Sequence, residues 1–212
     1  MNKHPLHSFF DAIFCINLPR RTDRRQHAEA EFAKIGIQPI FVNGVDGSAI
    51  DDRLVISSDG TPVSKGDIGC VLSHIKVLRG ANNLELNNYL VFEDDCVFKE
   101  NFNEVIHGCL QQVPGDWDLL YLGTSFNGDK INVNPGVVTG HRMFTTHAMG
   151  VSCSIYDKLY ERWKLLDEKV DLAVAELQPY IGTYAFDPIL VGQAPGFSDI
   201  QNKDVNYQHL SV

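Results

Sequence analysis

Short runs of consecutive apolar residues alternate along this chain with stretches whose apolar residues recur at helical spacing. The apolar runs lie at residues 12–16, 40–42, 89–92, 118–122 and 188–191. Strands that are apolar on both faces are typical of parallel sheets that helices cover on both sides. The sequence therefore predicts an α/β fold with a mainly parallel central sheet and helices on both faces.

Local sequence features set the ends of the predicted helices. Thr22 is placed to cap the first helix and Gly36 to end it, and a second helix opens near Asp67. Residues 148–155 fit a further strand and residues 157–166 an amphipathic helix. The 212 residues contain no repeat and no Pro/Ser-rich linker, so we predict a single domain spanning residues 1–212.

Charge and composition exclude several classes of protein. The net charge is −9 and no dense Lys/Arg stripe is present, so we expect no nucleic-acid partner and at most peripheral membrane contact. No apolar stretch reaches the roughly 18 residues of a membrane span, and the first ten residues do not resemble a signal peptide. The five cysteines are scattered and odd in number, which favours free thiols in a reducing compartment. We therefore expect a cytoplasmic protein.

Three adjacent acids, Glu93, Asp94 and Asp95, directly follow the apolar run at residues 89–92. Like charges this close raise each other's pKa unless a cation or hydrogen-bond donors compensate. On a strand, Glu93 and Asp95 would point to one side, where their oxygens suit Mg²⁺ or Mn²⁺. The alternative is an acidic turn in which all three groups are solvated. In parallel sheets ligands bind beyond the carboxyl ends of strands, so this triplet, Asn17 and Asp46 would share one rim.

Two further pairs carry possible chemistry. Arg20 and Arg24 follow the first strand and could bind phosphate oxygens, although an exposed basic helix start, partly paired with Asp23, is slightly favoured by these residues alone. Cys70 and His74 are four residues apart on one helix face and could form a thiolate–imidazole pair or bind a metal. A buried thiol beside a hydrogen-bonded core histidine is the interpretation that we favour for this pair.

The remaining candidates follow predicted elements late in the chain. Asp171 stands near a helix start, where it could cap the helix or act as a general base. Gln193, Ser198 and Asp199 follow the last strand and could close over a diphosphate, or be ordinary polar loop residues. The hydrolase elbow, the P-loop and the dinucleotide fingerprint are all missing from the sequence, which disfavours those enzymes.

Taken together, these segments resemble glycosyltransferase family 25, which contains bacterial lipooligosaccharide galactosyltransferases and the galactosyltransferase domains that act on collagen hydroxylysine. The resemblance covers residues 13–123 well and weakens afterwards. The matching segments, in chain order, are residues 16–24, 45–47, 66–74, 90–95 and 117–123. No single motif is diagnostic, but their order and spacing make the combination fairly specific.

The resemblance implies a Rossmann-like GT-A fold, a UDP-sugar donor, commonly UDP-galactose, metal dependence on Mn²⁺ (or Mg²⁺), and inversion at the anomeric carbon. It makes the acidic triplet the metal–diphosphate motif, with Glu93 and Asp95 as metal ligands and Asp94 as a substrate-binding residue. It gives Ser73 and His74 a donor-side role and Asp171 a role on the acceptor side. The nucleotide-pocket positions that it implies are Asn17, Leu18, Arg20, Arg24 and Asp46.

The predicted function is therefore metal-dependent transfer of a hexose from a UDP-sugar to a hydroxyl of a glycan or glycoconjugate, as in lipopolysaccharide biosynthesis. The catalytic base is predicted to be Asp171, and Gln193 is predicted to contact the substrate. Two alternatives remain at this point. One is a catalytically inactive glycosyltransferase-like binding protein, and the other is a metal-dependent phosphohydrolase.

Overall fold

The computed structural model describes residues 3–51 and 63–212. Six α-helices are found in these residues: α1 Pro5–Phe9, α2 Thr22–Ile35, α3 Lys65–Asn83, α4 Phe102–Gln111, α5 Tyr156–Trp163 and α6 Val170–Ala175. The strands in the same residues are β1 Ala12–Asn17, β2 Ile40–Asn43, β3 Asn88–Glu93, β4 Cys96–Phe98, β5 Leu119–Tyr121, β6 Ser125–Phe126, β7 Ile131–Asn134, β8 Val137–Thr139, β9 Met143–Phe144, β10 Ala148–Ser152, β11 Thr183–Phe186, β12 Val191–Gln193, β13 Gly196–Ser198 and β14 Lys203–Val205.

Within the described ranges, eight strands form the central sheet, in the order β2-β1-β3-β10-β5-β11-β8-β7. β1 runs parallel to both β2 and β3, and β5 runs parallel to β11. β10 lies antiparallel between β3 and β5, and β8 joins β11 and β7 antiparallel at the far edge. The predicted α/β architecture around a large central sheet is confirmed, and the antiparallel β10 at its centre is a feature that the apolar runs did not predict.

Helices cover both faces of the sheet, as predicted. One core cluster combines the inner face of α3 with α5 and α6, and Trp163 is its largest fully buried side chain. The other cluster packs α1, α2 and α4 on the opposite face, where Phe32, Phe92 and Phe98 meet edge to face. Because both faces are covered, β3 can be fully apolar until it ends at Glu93.

The helix ends show which local predictions were right. α2 ends at Gly36, whose left-handed φ of 71° lets its N–H reach the carbonyls of the last turn. Thr22 is the first residue of α2 and does not cap it, so that prediction was wrong; Arg21 occupies the cap position and makes no side-chain cap bond. α3 opens at Lys65 with a reciprocal pair of bonds between Ser64 and Asp67, close to the predicted start.

The end of the chain departs most from the predicted pattern. Residues 188–191 were expected to form a strand, but β12 begins only at Val191, because the N–H groups of Leu190 and Val191 both donate to the Leu122 carbonyl and do not follow a strand ladder. β12 pairs with β4 outside the central sheet, and β13 and β14 form a hairpin beyond it. In the part of the chain that the structure describes, no helix is both long and apolar enough to cross a membrane.

Candidate functional site

The carboxyl ends of β1, β2 and β3 meet at one edge of the sheet because these strands are parallel neighbours. Asn17 ends β1, and its Nδ2 donates to Asp94 Oδ2 at 2.7 Å and to the Arg21 carbonyl at 3.1 Å. Asp46 follows β2 in a turn that begins at Gly44, whose N–H bonds the Asn17 carbonyl. The three predicted rim positions are therefore brought together.

The turn after β2 is held against the first part of α3. Ser73 Oγ donates to the Gly69 carbonyl at 2.6 Å and accepts the Val45 N–H at 2.8 Å. A Cβ at Gly69 would lie 2.7 Å from the Val45 carbonyl oxygen, so only glycine permits this approach. Ser73 thus holds the backbone turn that carries Asp46 against α3.

Asp94 and Asp95 share one cation. Arg24 Nη1 lies 3.0 Å from Asp94 Oδ1 and 3.1 Å from Asp95 Oδ2, and both carboxylates are largely buried. β3 ends at Glu93, so the alternation expected for a strand does not extend to these two acids. The structure therefore groups Asp95 with Asp94, and Gln193 Nε2 adds a long contact of 3.4 Å to Asp95.

These carboxyl groups have perturbed pKa values. Burial, followed by the negative charge of Glu93, raises the pKa of Asp95 from its ordinary 3.8 to about 7. Burial also raises the pKa of Asp94, although Asn17 and Arg24 oppose it. The single guanidinium of Arg24 therefore does not fully compensate the negative charge collected at this point of the rim.

Glu93 has a different set of contacts. Thr146 Oγ1 donates to Glu93 Oε1 at 2.7 Å, and His74 Nε2 lies 3.3 Å from the same oxygen. Burial alone would raise the pKa of Glu93, but the contacts with His74 and Thr146 outweigh burial and lower it. The imidazole of His74 is fully buried and packs against the Trp163 ring, with ring centroids 5.8 Å apart.

Arginines at the start of α2 are held by acids from distant parts of the chain. Arg20 pairs with Asp46 at 2.5 Å and with Asp199 at 2.8 Å, and Arg21 also pairs with Asp199. The bond from Arg20 lowers the pKa of Asp46 to about 2. The hairpin of β13 and β14 therefore lies over the arginines. The sequence did not predict this contact between the two segments.

A cleft of about 540 Å³ runs along this rim. Most of the predicted substrate and metal residues line it: Leu18, Arg20, Arg24, Asp46, Ser73, His74, Glu93, Asp94, Asp95 and Gln193. Asn17 lies behind Asp94 and does not line the cleft. The apolar and aromatic part of the lining includes Val45, Ile200, Val205 and Tyr207. This volume lies in the range of small-molecule sites.

Asp171 also lies outside the cleft lining. It occupies the first turn of α6, where its oxygens accept the Leu172 N–H at 3.0 Å and the Thr145 N–H at 3.3 Å. Thr145 has a φ of 74°, an uncommon value for a β-branched residue. Burial raises the pKa of Asp171. Asp171 thus stabilises the conformation of Thr145, and the next residue, Thr146, bonds Glu93.

Sequence reasoning missed three groups at this site. Thr146 carried no motif, and Arg21 was mentioned only as part of a basic run. Tyr207 lines the cleft although it lies in the polar C-terminal segment, whose tertiary position no local pattern predicted. Asp199 was named in the sequence only as a residue that could cover a diphosphate.

The side chains present fit a divalent cation that binds oxygen. Asp94 and Asp95 offer adjacent carboxylates that already converge on one cationic nitrogen, and burial together with the charge of Glu93 raises the pKa of Asp95. Carboxylate oxygens are the preferred ligands of Mg²⁺ and Mn²⁺. Glu93, the other predicted ligand, lies in the same cleft wall but contacts His74 and Thr146.

The fold is that of known sugar transferases. It matches the crystal structure of a glycosyltransferase involved in the glycosylation of the major capsid of PBCV-1, with a TM-score of 0.56 and 12% identity. The match covers 90% of this chain and 95% of that chain. The chain thus has the GT-A-like fold of glycosyltransferases.

The chain belongs to glycosyltransferase family 25: the family described as "Glycosyltransferase family 25 (LPS biosynthesis protein)" matches residues 10–152. It is similar to the human "Inactive glycosyltransferase 25 family member 3", with 28% identity across 92% of this chain and 34% of that protein. It is also similar to "Procollagen galactosyltransferase 1" of Danio rerio, with 34% identity across 54% of this chain and 21% of that protein. The chain therefore spans about a third or less of these relatives.

Proposed function

We propose that this protein transfers a hexose, with galactose the first candidate, from a UDP-sugar to a hydroxyl group of a glycan or glycoconjugate, with inversion. The observation that carries this proposal is the convergence of Arg20, Arg24, Asp94 and Asp95 on one cleft of about 540 Å³. Arginines bind phosphate oxygens bidentately, and paired carboxylates bind the cation that accompanies a diphosphate. The galactose assignment rests on the relatives named procollagen galactosyltransferases.

Different residues at the rim are assigned to different parts of the donor. Arg20 and Arg24 would bind the diphosphate. Asp95 and Asp94 would hold Mn²⁺ or Mg²⁺, with Glu93 beside them, and Gln193 would contact the substrate. When bound, the cation neutralises charge on the departing UDP. The apolar wall that includes Val45 and Val205 suits the base and ribose of uridine. Ser73 serves this site by positioning the turn that carries Asp46.

Donor binding requires an exchange of anions at the arginines. Asp199 now bonds both Arg20 and Arg21, and the Phe197 carbonyl accepts from Arg24 Nη2 at 2.9 Å. A diphosphate that takes up these guanidinium groups displaces the acid and moves the hairpin of β13 and β14. The hairpin would then act as a lid that excludes water from the reacting centre.

We propose Asp171 as the base that deprotonates the acceptor hydroxyl. Burial raises its pKa, the direction that favours a general base, and it adjoins the segment that contacts Glu93. Asp171→Asn should then lower kcat strongly while leaving UDP binding unchanged. A purely structural role predicts instead that Asn preserves activity, because it keeps an acceptor oxygen for the Thr145 N–H and gives up only the bond from the adjacent Leu172 N–H.

A second candidate function is sugar-nucleotide binding without transfer. Several similar proteins are named inactive members of the same family, including the human one that aligns with 92% of this chain. Free thiols at all five cysteines are compatible with the cytoplasmic location that we propose for either function.

Product analysis separates the candidates. The protein is incubated with Mn²⁺, UDP-galactose or UDP-glucose and a panel of glycan acceptors, and the products are identified by mass spectrometry. Transfer yields UDP and an acceptor heavier by one hexose, which would support the proposal. UMP with a sugar phosphate, or inorganic phosphate, would indicate a phosphohydrolase. Bound but unchanged donor would favour the non-catalytic protein, and absence of donor binding would refute both glycosyltransferase proposals.

A further inference from the structure

Three side chains of different ligand types meet in the wall of the cleft, beside the predicted diphosphate site. Cys70 and His74 lie one turn apart on α3, and Glu93 ends the neighbouring strand β3. A thiol sulfur, an imidazole nitrogen and a carboxylate oxygen from these residues all lie within 4.8 Å of one another. This mixed set of sulfur, nitrogen and oxygen differs from the all-oxygen pair formed by Asp94 and Asp95.

His74 lacks the contacts of an ordinary core histidine. It is 1% exposed, and its Nδ1 has no hydrogen-bond partner among the described residues. Its Nε2 lies 3.3 Å from Glu93 Oε1, a long contact. A buried ring nitrogen without a partner is costly, and histidines retained only for packing normally satisfy both nitrogens. His74 is therefore a buried, hydrogen-bonded histidine, as the favoured interpretation from sequence expected, but one of its ring nitrogens has no partner among the described residues.

The other two groups are accessible to an ion from the cleft. Cys70, His74 and Glu93 all line it, and Cys70 is only partly buried. Thr146 donates to Glu93 Oε1 at 2.7 Å, which fixes the carboxylate as outer partners of metal ligands do. Burial raises the pKa of the Cys70 thiol, so an ion entering here would release a proton from it.

We propose that Cys70, His74 and Glu93 bind a single divalent ion of the zinc class, with a fourth position open to the cleft. Cysteine, histidine and carboxylate are the ligand types of zinc, and three protein ligands with an open position are typical of its reactive sites. Mn²⁺ and Mg²⁺ prefer oxygen ligands, so they favour Asp94 and Asp95 instead. The site stands independently of the transferase proposal, although it shares Glu93 with the predicted manganese site.

The required adjustment is small. Tetrahedral zinc, with bonds of about 2.0–2.3 Å, separates its ligand atoms by roughly 3.3–3.8 Å. The three ligand atoms, which now lie within 4.8 Å of one another, therefore need to approach each other by about 1 Å at most of the contacts. A rotation of the Cys70 side chain would be enough for a movement of this size, while Thr146 continues to hold the Glu93 carboxylate.

Cobalt spectroscopy tests the proposal directly. Co²⁺ replaces zinc and gives an intense near-ultraviolet charge-transfer band only when a thiolate binds it, whereas an oxygen-only site gives none. Metal-free protein is titrated with Co²⁺ in the absence of nucleotide. We expect a band that saturates at one ion per chain and disappears when Zn²⁺ is added. A wild-type spectrum without the band would overturn the proposal, whatever the variants do.

Matched variants locate the thiolate. Cys70→Ser should abolish the band and weaken Zn²⁺ binding at least about tenfold. Cys153→Ser should leave both unchanged, because that exposed thiol follows Ser152, which pairs with Asn88 at the opposite end of β3 from Glu93. Asp95→Asn should also keep the band, since Asp95 belongs to the diphosphate site. A band that survives Cys70→Ser but is lost in Cys153→Ser would show adventitious binding and refute the assignment.

These readouts do not depend on transfer. If the cobalt band appears but UDP does not bind, the transferase proposal fails and the zinc-class site stands. If UDP binds with Mn²⁺ but no cobalt band forms, the zinc-class site is refuted and the transferase proposal stands.

Discussion

Asp95→Asn should make the metal-free protein more stable at neutral pH. Burial and the charge of Glu93 raise the pKa of Asp95 from 3.8 to about 7. Each pH unit of displacement corresponds to about 1.4 kcal/mol, so holding Asp95 ionised in the folded protein costs at most roughly 4 kcal/mol. Water entry and movement of Arg24 reduce this figure. We expect a gain of about 2 kcal/mol or more in the free energy of unfolding of the variant at pH 8.

The sign of this change in the free energy of unfolding follows from proton binding. Between pH 4 and pH 7, roughly, the folded protein holds a proton on Asp95 that the unfolded chain has already released. Wild-type stability from this group is therefore complete below the unfolded pKa and is lost as pH rises through the folded pKa. Asparagine does not titrate, so the gain in the variant should be near zero at pH 4 and largest at pH 8.

Urea denaturation with chelator present, at pH 4 and at pH 8, measures both values. Asp129→Asn is the control, because Asp129 is an exposed loop carboxylate and its replacement should change neither stability nor its pH dependence. A variant that is no more stable than wild type at pH 8, or one whose gain is equal at both pH values, would refute this account of the rim.

Three other perturbations, two of them with a matched comparison variant, test the rim and its supports, all measured by urea denaturation. Arg24→Ala removes the cation that Asp94 and Asp95 share and should cost about 3 kcal/mol without metal. Arg25→Ala removes only a surface ion pair and a partly exposed stacking contact with the Phe41 ring and should cost no more than about 1–1.5 kcal/mol. Ser64→Ala removes half of the capping box of α3 and should cost about 1 kcal/mol. Gly123→Ala would place a Cβ 1.9 Å from the Val191 carbonyl oxygen and should destabilise the protein by roughly 3 kcal/mol or more. Gly108→Ala, on the exposed face of α4 where nothing lies within 4 Å, should instead stabilise it by about 0.5–1 kcal/mol. Equal effects of the two glycine substitutions, or of the two arginine substitutions, would contradict the packing described here.

The parts of the fold that sequence predicted depend on short-range patterns. The apolar run before Glu93 and the glycine after α2 each leave a local trace, and both elements lie where they were expected. β10 leaves no such trace of its direction. Whether a strand runs parallel or antiparallel depends on the path of the chain between strands, and here β10 enters between β3 and β5 from the opposite end.

The candidate site was likewise predicted only where local patterns determine its residues' positions. Asn17, Asp46 and the acidic triplet follow strand ends, so the rule for parallel sheets was enough to bring them together. The contact of Asp199 with the arginines spans most of the chain, and no local pattern encodes it. The grouping of Asp94 with Asp95 depends on where β3 ends, and strand ends are the least certain part of any sequence prediction.

Calorimetric titration of UDP tests the central claim, a metal-assisted diphosphate site at the rim, most directly. The titration is carried out with Mn²⁺ and with chelator, on wild type, Asp95→Asn and the Asp129→Asn control. We predict that UDP binds to wild type and control only with Mn²⁺, and that Asp95→Asn abolishes this binding. UDP that fails to bind under any condition, or that binds equally with chelator and in Asp95→Asn, would contradict the claim.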